Sequence, residues 1–386
     1  MALHFSMDEL TGRISRARRH LSDNGLDAIL CFSQESDYYV TGYDTSGFVF
    51  FQCLILTADD QPVTLLTRRP DLEQARHTSI IEDICVWYDT EEADPTEDLQ
   101  AILEEKGLKG GRIGVELNRY GLTGFNHQRL RRRLDGWCRL EDASNLIRTL
   151  RVVKSPAEIA YVRRAAELAD DSLQAMLGAA GPGAFEGDIS AAGQSVNLRG
   201  GGDLPPSGPV LGSGERALLI RSATGPRHLD PIDQLTLEFA CSYRHYCACL
   251  MRTVAIGEGN DRQCTMFEVT REAMTAMTEA AAPGRPLGGI DDAHPRVFDA
   301  AGFGAHRMSA CGYSLGATYR PTWMDVPPML YSENPMPAAP GMVLFLHAIL
   351  IDADAGLAMS LGHTIVITEN GREVLSQLTP DYHVCR

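Results

Sequence analysis

LEFACSYRHYCACLMRT, residues 237–253, concentrates more chemistry than any other span of this chain. It places Glu238, Tyr243, Arg244, His245, Tyr246, Cys247, Cys249 and Arg252 together, flanked by hydrophobic runs. The runs read as two strands turning near residues 242–244. Ionisable groups buried there must be paired, neutralised or used, because an isolated buried charge is costly. We expect the pair to form the floor of a catalytic cleft.

Strand and helix signals extend outward in both directions. Downstream, helices are expected over 261–281, closed by Pro283-Gly284, and 289–301, closed by Gly302. Strands follow at 312–318, 342–351 and 360–369, with a Pro-rich excursion at 320–340. Upstream, Ser155 gives a helix N-cap, with Pro156 at the first helical position and Glu158 three residues past the cap. Apolar positions from Ile159 to Leu177 keep the helical period, and a second helix is expected over 185–198. The loop Gly200-Gly201-Gly202-Asp203 is not a phosphate cradle, since no helix with Lys or Ser/Thr follows it. Nearer the start, Ser6 and Glu9 read as a capping box opening a helix to about residue 23. Strands at 26–32, 48–56, 62–67, 84–88, 112–116 and 138–141 then alternate with helices at 96–106 and 124–133. That alternation implies an α/β layer covered on both faces. The boundary near 148–154 gives domains 1–150 and 151–386.

A chain of 386 residues suits about two domains. Lys+Arg 35 against Asp+Glu 51 gives a net charge of −16, which argues against nucleic acid and anionic membrane as partners. The apolar runs at 48–56 and 342–351 fall short of the ~18–20 residues of a membrane span. The polar start carries no signal-peptide core. Ten cysteines without framework spacing suggest reduced thiols, so a cytoplasmic protein is expected.

Six motifs in order carry a family resemblance: KSPAEIAYVRRAA (154–166), GSGERALLIR (212–221), the span 237–253, CGYSLG (311–316), APGMVLFLHAI (339–349) and GHTIVITENG (362–371). Nearly end to end, the chain resembles the superfamily of creatinase, prolidase, aminopeptidase P and methionine aminopeptidase. The resemblance implies a creatinase-type α/β N-terminal domain followed by an α+β pita-bread catalytic domain. The metallopeptidases of that superfamily hold two divalent metals with two Asp, one His and two Glu. At the matching positions this chain has Glu238, Cys249, Tyr313, His347 and Gly362, with His363 beside the last. Two hard cations need several bridging carboxylates, and one remains. No dinuclear metal site and no cofactor is therefore expected. A single soft-metal site of Cys249, His347 and Glu238 is the alternative, since these are zinc-type ligands.

The pattern E-x-A-x-x-Y-R-x-Y…R-T, the Gly312-Tyr313 pair in place of Gly-His, Tyr319-x-Pro-x-Trp323 and the glycine loop ending at Asp203 resemble the ectoine hydrolases, a metal-free branch beside creatinase. That implies hydrolysis of a non-peptide C–N bond, with a small zwitterionic cyclic amidine as the preferred substrate. A creatine-type guanidine, or other small-molecule lyase chemistry, is the alternative. A solute- or partner-binding pseudoenzyme is the alternative of another class.

Roles follow for single residues. His347 is expected to relay protons near neutral pH. Glu238 would hold the cationic nitrogen side of a substrate, or pair structurally with Arg252. Cys249 is read as a nucleophile, a lining residue or inert core. Tyr313 would hydrogen-bond the substrate or an oxyanion. Arg221 and Arg320 fall where the metallopeptidases place two substrate-contacting histidines, and their planar forks suit a substrate carboxylate. Tyr319 and Trp323 would wall the pocket and stack on a cationic ring. Tyr246, Arg252 and His363 complete the expected substrate-contacting set. Phe48 and Phe50, placed on one strand face, match the stretch through which creatinase's N-terminal domain reaches into its partner's cleft, which implies a homodimer.

Overall fold

The computed structural model describes residues 3–221 and 223–386. The chain divides into two compact units, Met1–Arg151 and Val152–Arg386.

The strands of the first unit are Ala28–Cys31 (β1), Cys53–Thr57 (β2), Thr64–Arg68 (β3), Asp83–Trp87 (β4), Arg112–Val115 (β5) and Arg139–Asp142 (β6), ordered β4-β3-β2-β1-β5-β6. Its helices are Met7–Asp23 (α1), Gln34–Thr41 (α2), Leu72–Thr78 (α3), Pro95–Glu105 (α4), Gly124–Leu134 (α5) and Leu146–Arg151 (α6). Ser6 caps α1 by accepting the Glu9 N–H. Strand alternation sends Ala28 and Leu30 to a core with Leu99, Leu103 and Leu130. Ile29 and Cys31 go to the other face, with Ala17, Leu21, Val40 and Leu146. Both faces are covered, as the alternating signals imply.

One expectation fails here. The strand anticipated over 48–56 begins only at Cys53, because Gly47–Val49 form a 3-10 turn. The Gly47 N–H is held by Thr45 Oγ1, and the Phe50 N–H closes on the Gly47 carbonyl. Phe48 and Phe50 therefore do not share a strand face. Phe50 is 48% exposed, with the Arg68 guanidinium 3.8 Å from its ring centre.

The second unit carries Val210–Ser213 (β7), Asp233–Tyr243 (β8), Tyr246–Ile256 (β9), Gly312–Ser314 (β10), Val343–Asp352 (β11), Leu357–Thr368 (β12), Gly371–Val374 (β13) and Val384–Cys385 (β14). Its sheet runs β10-β11-β12-β9-β8-β7, with β13 on β12 and β14 on β9. The helices are Pro156–Ala179 (α7), Glu186–Arg199 (α8), Asp261–Ala280 (α9) and Gly288–Ala300 (α10). The expected cap at Ser155 is a full capping box with Glu158.

All four helices lie against one face of this sheet. Leu235, Leu237, Phe239, Leu250 and Val254 pack with Leu168, Leu173 and Met176 of α7. Leu344, Leu346, Leu361 and Ile365 pack with Met274, Met277, Ile290 and Phe298 of α9 and α10. Period-2 alternation turns every intervening residue to the opposite face.

The turn joining β8 to β9 is Arg244-His245, both with positive φ (50° and 68°). Two such residues match the twist of a tight hairpin, though left-handed backbone is costly outside glycine. Contacts clamp the turn. The His245 N–H donates to Asp203 Oδ2 at 2.8 Å, its ring stacks on Tyr319 at 4.3 Å, and Arg244 donates to the Tyr161 hydroxyl at 2.7 Å.

Candidate active site

On the face turned away from the helices, register sets side chains in rows. Val210, Glu238, Met251, Gly362 and His347 are successive cross-strand partners over β7-β8-β9-β12-β11. In the next row Ala240 faces Cys249, and Phe345 lies between Thr364 and Tyr313. Thr364 Oγ1 joins the two halves of that row, accepting from the Cys249 N–H at 2.8 Å and donating to its carbonyl at 3.0 Å. Glu238, Cys249, Tyr313 and His347 thus share one face.

That face is concave. Four strand spacings separate Tyr313 on β10 from Glu238 on β8, roughly 19 Å on a flat sheet. The two side chains could not influence each other across that gap, yet Tyr313 and Glu238 each shift the other's ionisation. The sheet must curl until its strands face each other. Trp323, on the Pro-rich segment, donates its indole N–H to the Tyr313 hydroxyl at 2.8 Å. Trp323, Tyr313 and Glu238 are backed by an aromatic group in which Tyr313 and Phe345 lie 5.5 Å apart, Phe345 and His347 5.4 Å, and Tyr313 and His347 6.0 Å.

Burial sets the electrostatics. It raises the Glu238 carboxyl from 4.5 to about 7, against the opposing pull of Arg221 and Tyr313. It lowers His347 from 6.5 to about 4, helped by the charge of His294. His347 is therefore a neutral imidazole at pH 7, which corrects its expected place as the proton relay near neutrality. Its Nδ1 is buried without a hydrogen-bond partner. Burial also raises Cys249 well above 9, with Cys247 and Glu238 adding to it, and raises Tyr313 well above 10. A thiol held protonated in this way is a poor nucleophile, so the nucleophilic reading of Cys249 loses its basis.

The donor set of a dinuclear centre is not assembled. Among the described residues, the one His/Cys/Asp/Glu group whose ligand atoms lie within 4.8 Å of one another lies elsewhere, so Glu238, Cys249 and His347 do not converge on a point. At Gly362 a Cβ would stand 2.7 Å from Phe345 Cζ, so an aromatic ring fills the space where a second carboxylate would project. These residues do not fit two hard cations, nor one soft ion bound by all three.

Other expected site residues scatter. Arg252 pairs across the sheet with Leu237 and Leu361, which places it on the helix face; it donates to the Met251 and Gly362 carbonyls, and burial lowers it to about 10. It is no partner for Glu238. His363 pairs with Leu250 on that same face, and its Nε2 meets Thr278 Oγ1 of α9 at 3.1 Å. Tyr246 donates to Glu158 Oε1 at 2.7 Å and packs on Tyr161, so it braces α7. Tyr319 is spent on stacking His245. Arg320 is exposed and lines a cavity of about 120 Å³ with Phe239, Ala240 and Asn197. Arg221 is exposed and acts electrostatically on Glu238. Phe48 and Phe50 belong to the first unit.

Sequence reasoning missed Phe345, Met251 and Thr364, which line the same face. The signal was present: Phe345 stands two residues before His347, and a strand returns residues i and i+2 to one face.

Comparisons with known proteins bear on this geometry. Residues 160–369 match metallopeptidase family M24, and residues 13–153 match the creatinase/prolidase N-terminal domain. An ectoine hydrolase from Halomonas elongata is 27% identical over 97% of both chains. An Xaa-Pro dipeptidase from Pyrococcus horikoshii is 23% identical over 96% of this chain and 98% of its own. The crystal structure of a prolidase from Thermococcus sibiricus superposes with a TM-score of 0.88 at 18% identity, covering 98% of this chain and all of that one. Among the described residues, no helix is long and apolar enough to cross a membrane.

Proposed function

Because the chain belongs to metallopeptidase family M24, within the creatinase/prolidase pita-bread superfamily, we propose that it is a hydrolase of a non-peptide C–N bond that works without a metal. The substrate is a small zwitterionic cyclic amidine of the ectoine type. The observation that carries this reading is the Glu238 carboxyl, raised to about 7 by burial on the concave face, beside Tyr313. A general acid–base group is most effective when it titrates near the working pH. The dispersed donors Glu238, Cys249 and His347 favour chemistry without a metal, and the similarity to an ectoine hydrolase favours an amidine over a dipeptide.

The chemistry then runs through Glu238. As carboxylate it accepts a proton from water while the water oxygen bonds to the amidinium carbon. The tetrahedral adduct collapses by breaking one C–N bond, and the protonated Glu238 returns its proton to the departing nitrogen. Amidine and water become amide and amine, so ectoine would yield an acetylated diaminobutyrate. Tyr313, fixed by Trp323, orients the Glu238 carboxyl. His347, neutral and with Nδ1 unpaired, offers a hydrogen bond to water or substrate. Arg221 supplies positive charge beside Glu238 for the substrate carboxylate. The active unit is a homodimer in this proposal, supported by the exposure of Val49 and Phe50.

The test is incubation of chelator-stripped protein with ectoine, a creatine-type guanidine and an Xaa-Pro dipeptide, followed by proton NMR. Ring opening of ectoine without added metal is expected. Dipeptide cleavage restored by manganese would replace the proposal with a peptidase. Ligand-induced stabilisation without turnover of any compound would replace it with a solute-binding pseudoenzyme.

A further inference from the structure

A second set of ligating side chains lies away from the concave face, where α10 meets the entry to β10. Asp291 and His294 stand one helical turn apart on α10, and Cys311 directly precedes β10. All three are buried, and their ligand atoms lie within 4.8 Å of one another. We propose that Asp291, His294 and Cys311 bind one soft divalent metal ion of the zinc type.

The ligand-atom separations are compatible with a tetrahedral site. Zinc–ligand bonds of about 2.0–2.3 Å hold neighbouring ligand atoms roughly 3.4–3.8 Å apart, so the trio needs only a modest contraction. His294 is oriented for ligation. Its Nδ1 lies 2.6 Å from the Asp291 carbonyl, and the tautomer that donates there carries the lone pair on Nε2. Asp291 Oδ1 is buried with no hydrogen-bond partner, an orphan that a cation would satisfy. The Met308 carbonyl oxygen, 3.3 Å from His294 Nε2, stands as a fourth donor, and Met308 itself is 36% exposed, which gives an approach from solvent. One thiol, one imidazole and one carboxylate select zinc over magnesium or calcium.

On binding, a metal–sulfur bond replaces the Cys311 S–H bond, and the released proton goes to solvent. Thiolate and carboxylate together then balance the charge of the ion. The Asp291, His294 and Cys311 side chains take no direct part in the proposed hydrolysis, although His294 acts electrostatically on His347 and the Cys311 carbonyl accepts the His347 N–H at 2.9 Å.

The test is a titration of chelator-stripped full-length protein with cobalt(II), read by absorbance, with zinc stoichiometry by elemental analysis. One equivalent should bind with a thiolate-to-cobalt charge-transfer band. The band should vanish in Cys311→Ser, weaken at least about tenfold in apparent affinity in His294→Gln, and persist in Cys249→Ser. Circular dichroism confirms folding of each variant, and His294→Gln serves if Cys311→Ser does not fold. Absence of stoichiometric binding overturns the proposal. So does a band that survives Cys311→Ser, or one abolished by Cys249→Ser.

Discussion

The Tyr313 hydroxyl meets the Glu238 carboxyl although four strand spacings of the sheet lie between them. The contact exists only because the sheet curls, and it puts a phenol donor against a carboxyl already made hard to ionise by burial. Fold and chemistry meet in that one juxtaposition. Trp323 supports it from the Pro-rich segment, so a loop that carries little regular structure fixes the geometry of the site.

Glu238 should leave a signature in stability. The folded chain holds its proton up to about pH 7, whereas the unfolded chain releases it near 4.5. Between those values the native state binds more protons, so stability falls as pH rises through the window, by about 3 kcal/mol at its upper end. Glu238→Gln removes that loss. Urea unfolding should find the variant matching wild type near pH 4 and exceeding it by up to ~3 kcal/mol at pH 8.

His363 should act with the opposite sign. Burial beside Arg252 holds it near 4 in the fold, against 6.5 when unfolded. Its contribution is complete above pH 6.5 and is lost as pH falls towards 4, by up to about 3 kcal/mol. The gap in stability between wild type and His363→Gln should therefore shift against wild type on acidification. Thermal melts from pH 7 to 4 would check it.

Trp323→Phe keeps the aromatic wall and deletes the indole donor to Tyr313. Loss of one hydrogen bond of about 1 kcal/mol should lower kcat roughly fivefold with little change in KM. Equal loss in Trp323→Phe and in the Tyr313→Phe, Trp323→Phe double variant, relative to their parents, would show that the two residues do not act together.

The packing at Gly362 gives a prediction free of catalysis. A Cβ there would stand 2.7 Å from Phe345 Cζ and 2.9 Å from Met251 Cβ. Gly362→Ala should cost about 1–3 kcal/mol by overpacking, and adding Phe345→Leu should recover part of it. Denaturant midpoints for the two single variants and the double variant measure the coupling.

Much of the fold was legible because local signals agreed with it. The caps at Ser6 and Ser155, the hairpin of 237–253 and the strand carrying His347 all lie where periodicity and turn chemistry put them. The strand expected across Phe48 and Phe50 fails because Thr45 and Gly47 close a turn first, and apolar residues alone do not distinguish a turn from a strand end. Site residues divided along a line that strand register decides. Arg252 and His363 sit one residue away from Met251 and Gly362, and one step of register turns them onto the helix face. The meeting of Tyr313 with Glu238 was out of reach, since sheet curvature is not written in any single segment.

The most direct test is the pH dependence of kcat/KM for ectoine ring opening by metal-stripped protein, with Glu238→Gln alongside. Wild type should rise through an ionisation at about 7 to a plateau, because only the Glu238 carboxylate accepts the proton of water. Glu238→Gln should lose on the order of 10²–10⁴ in rate at the plateau. A flat wild-type profile across pH 5.5–8.5, or a Glu238→Gln variant as active as wild type, would contradict the assignment of Glu238 as the acid–base group.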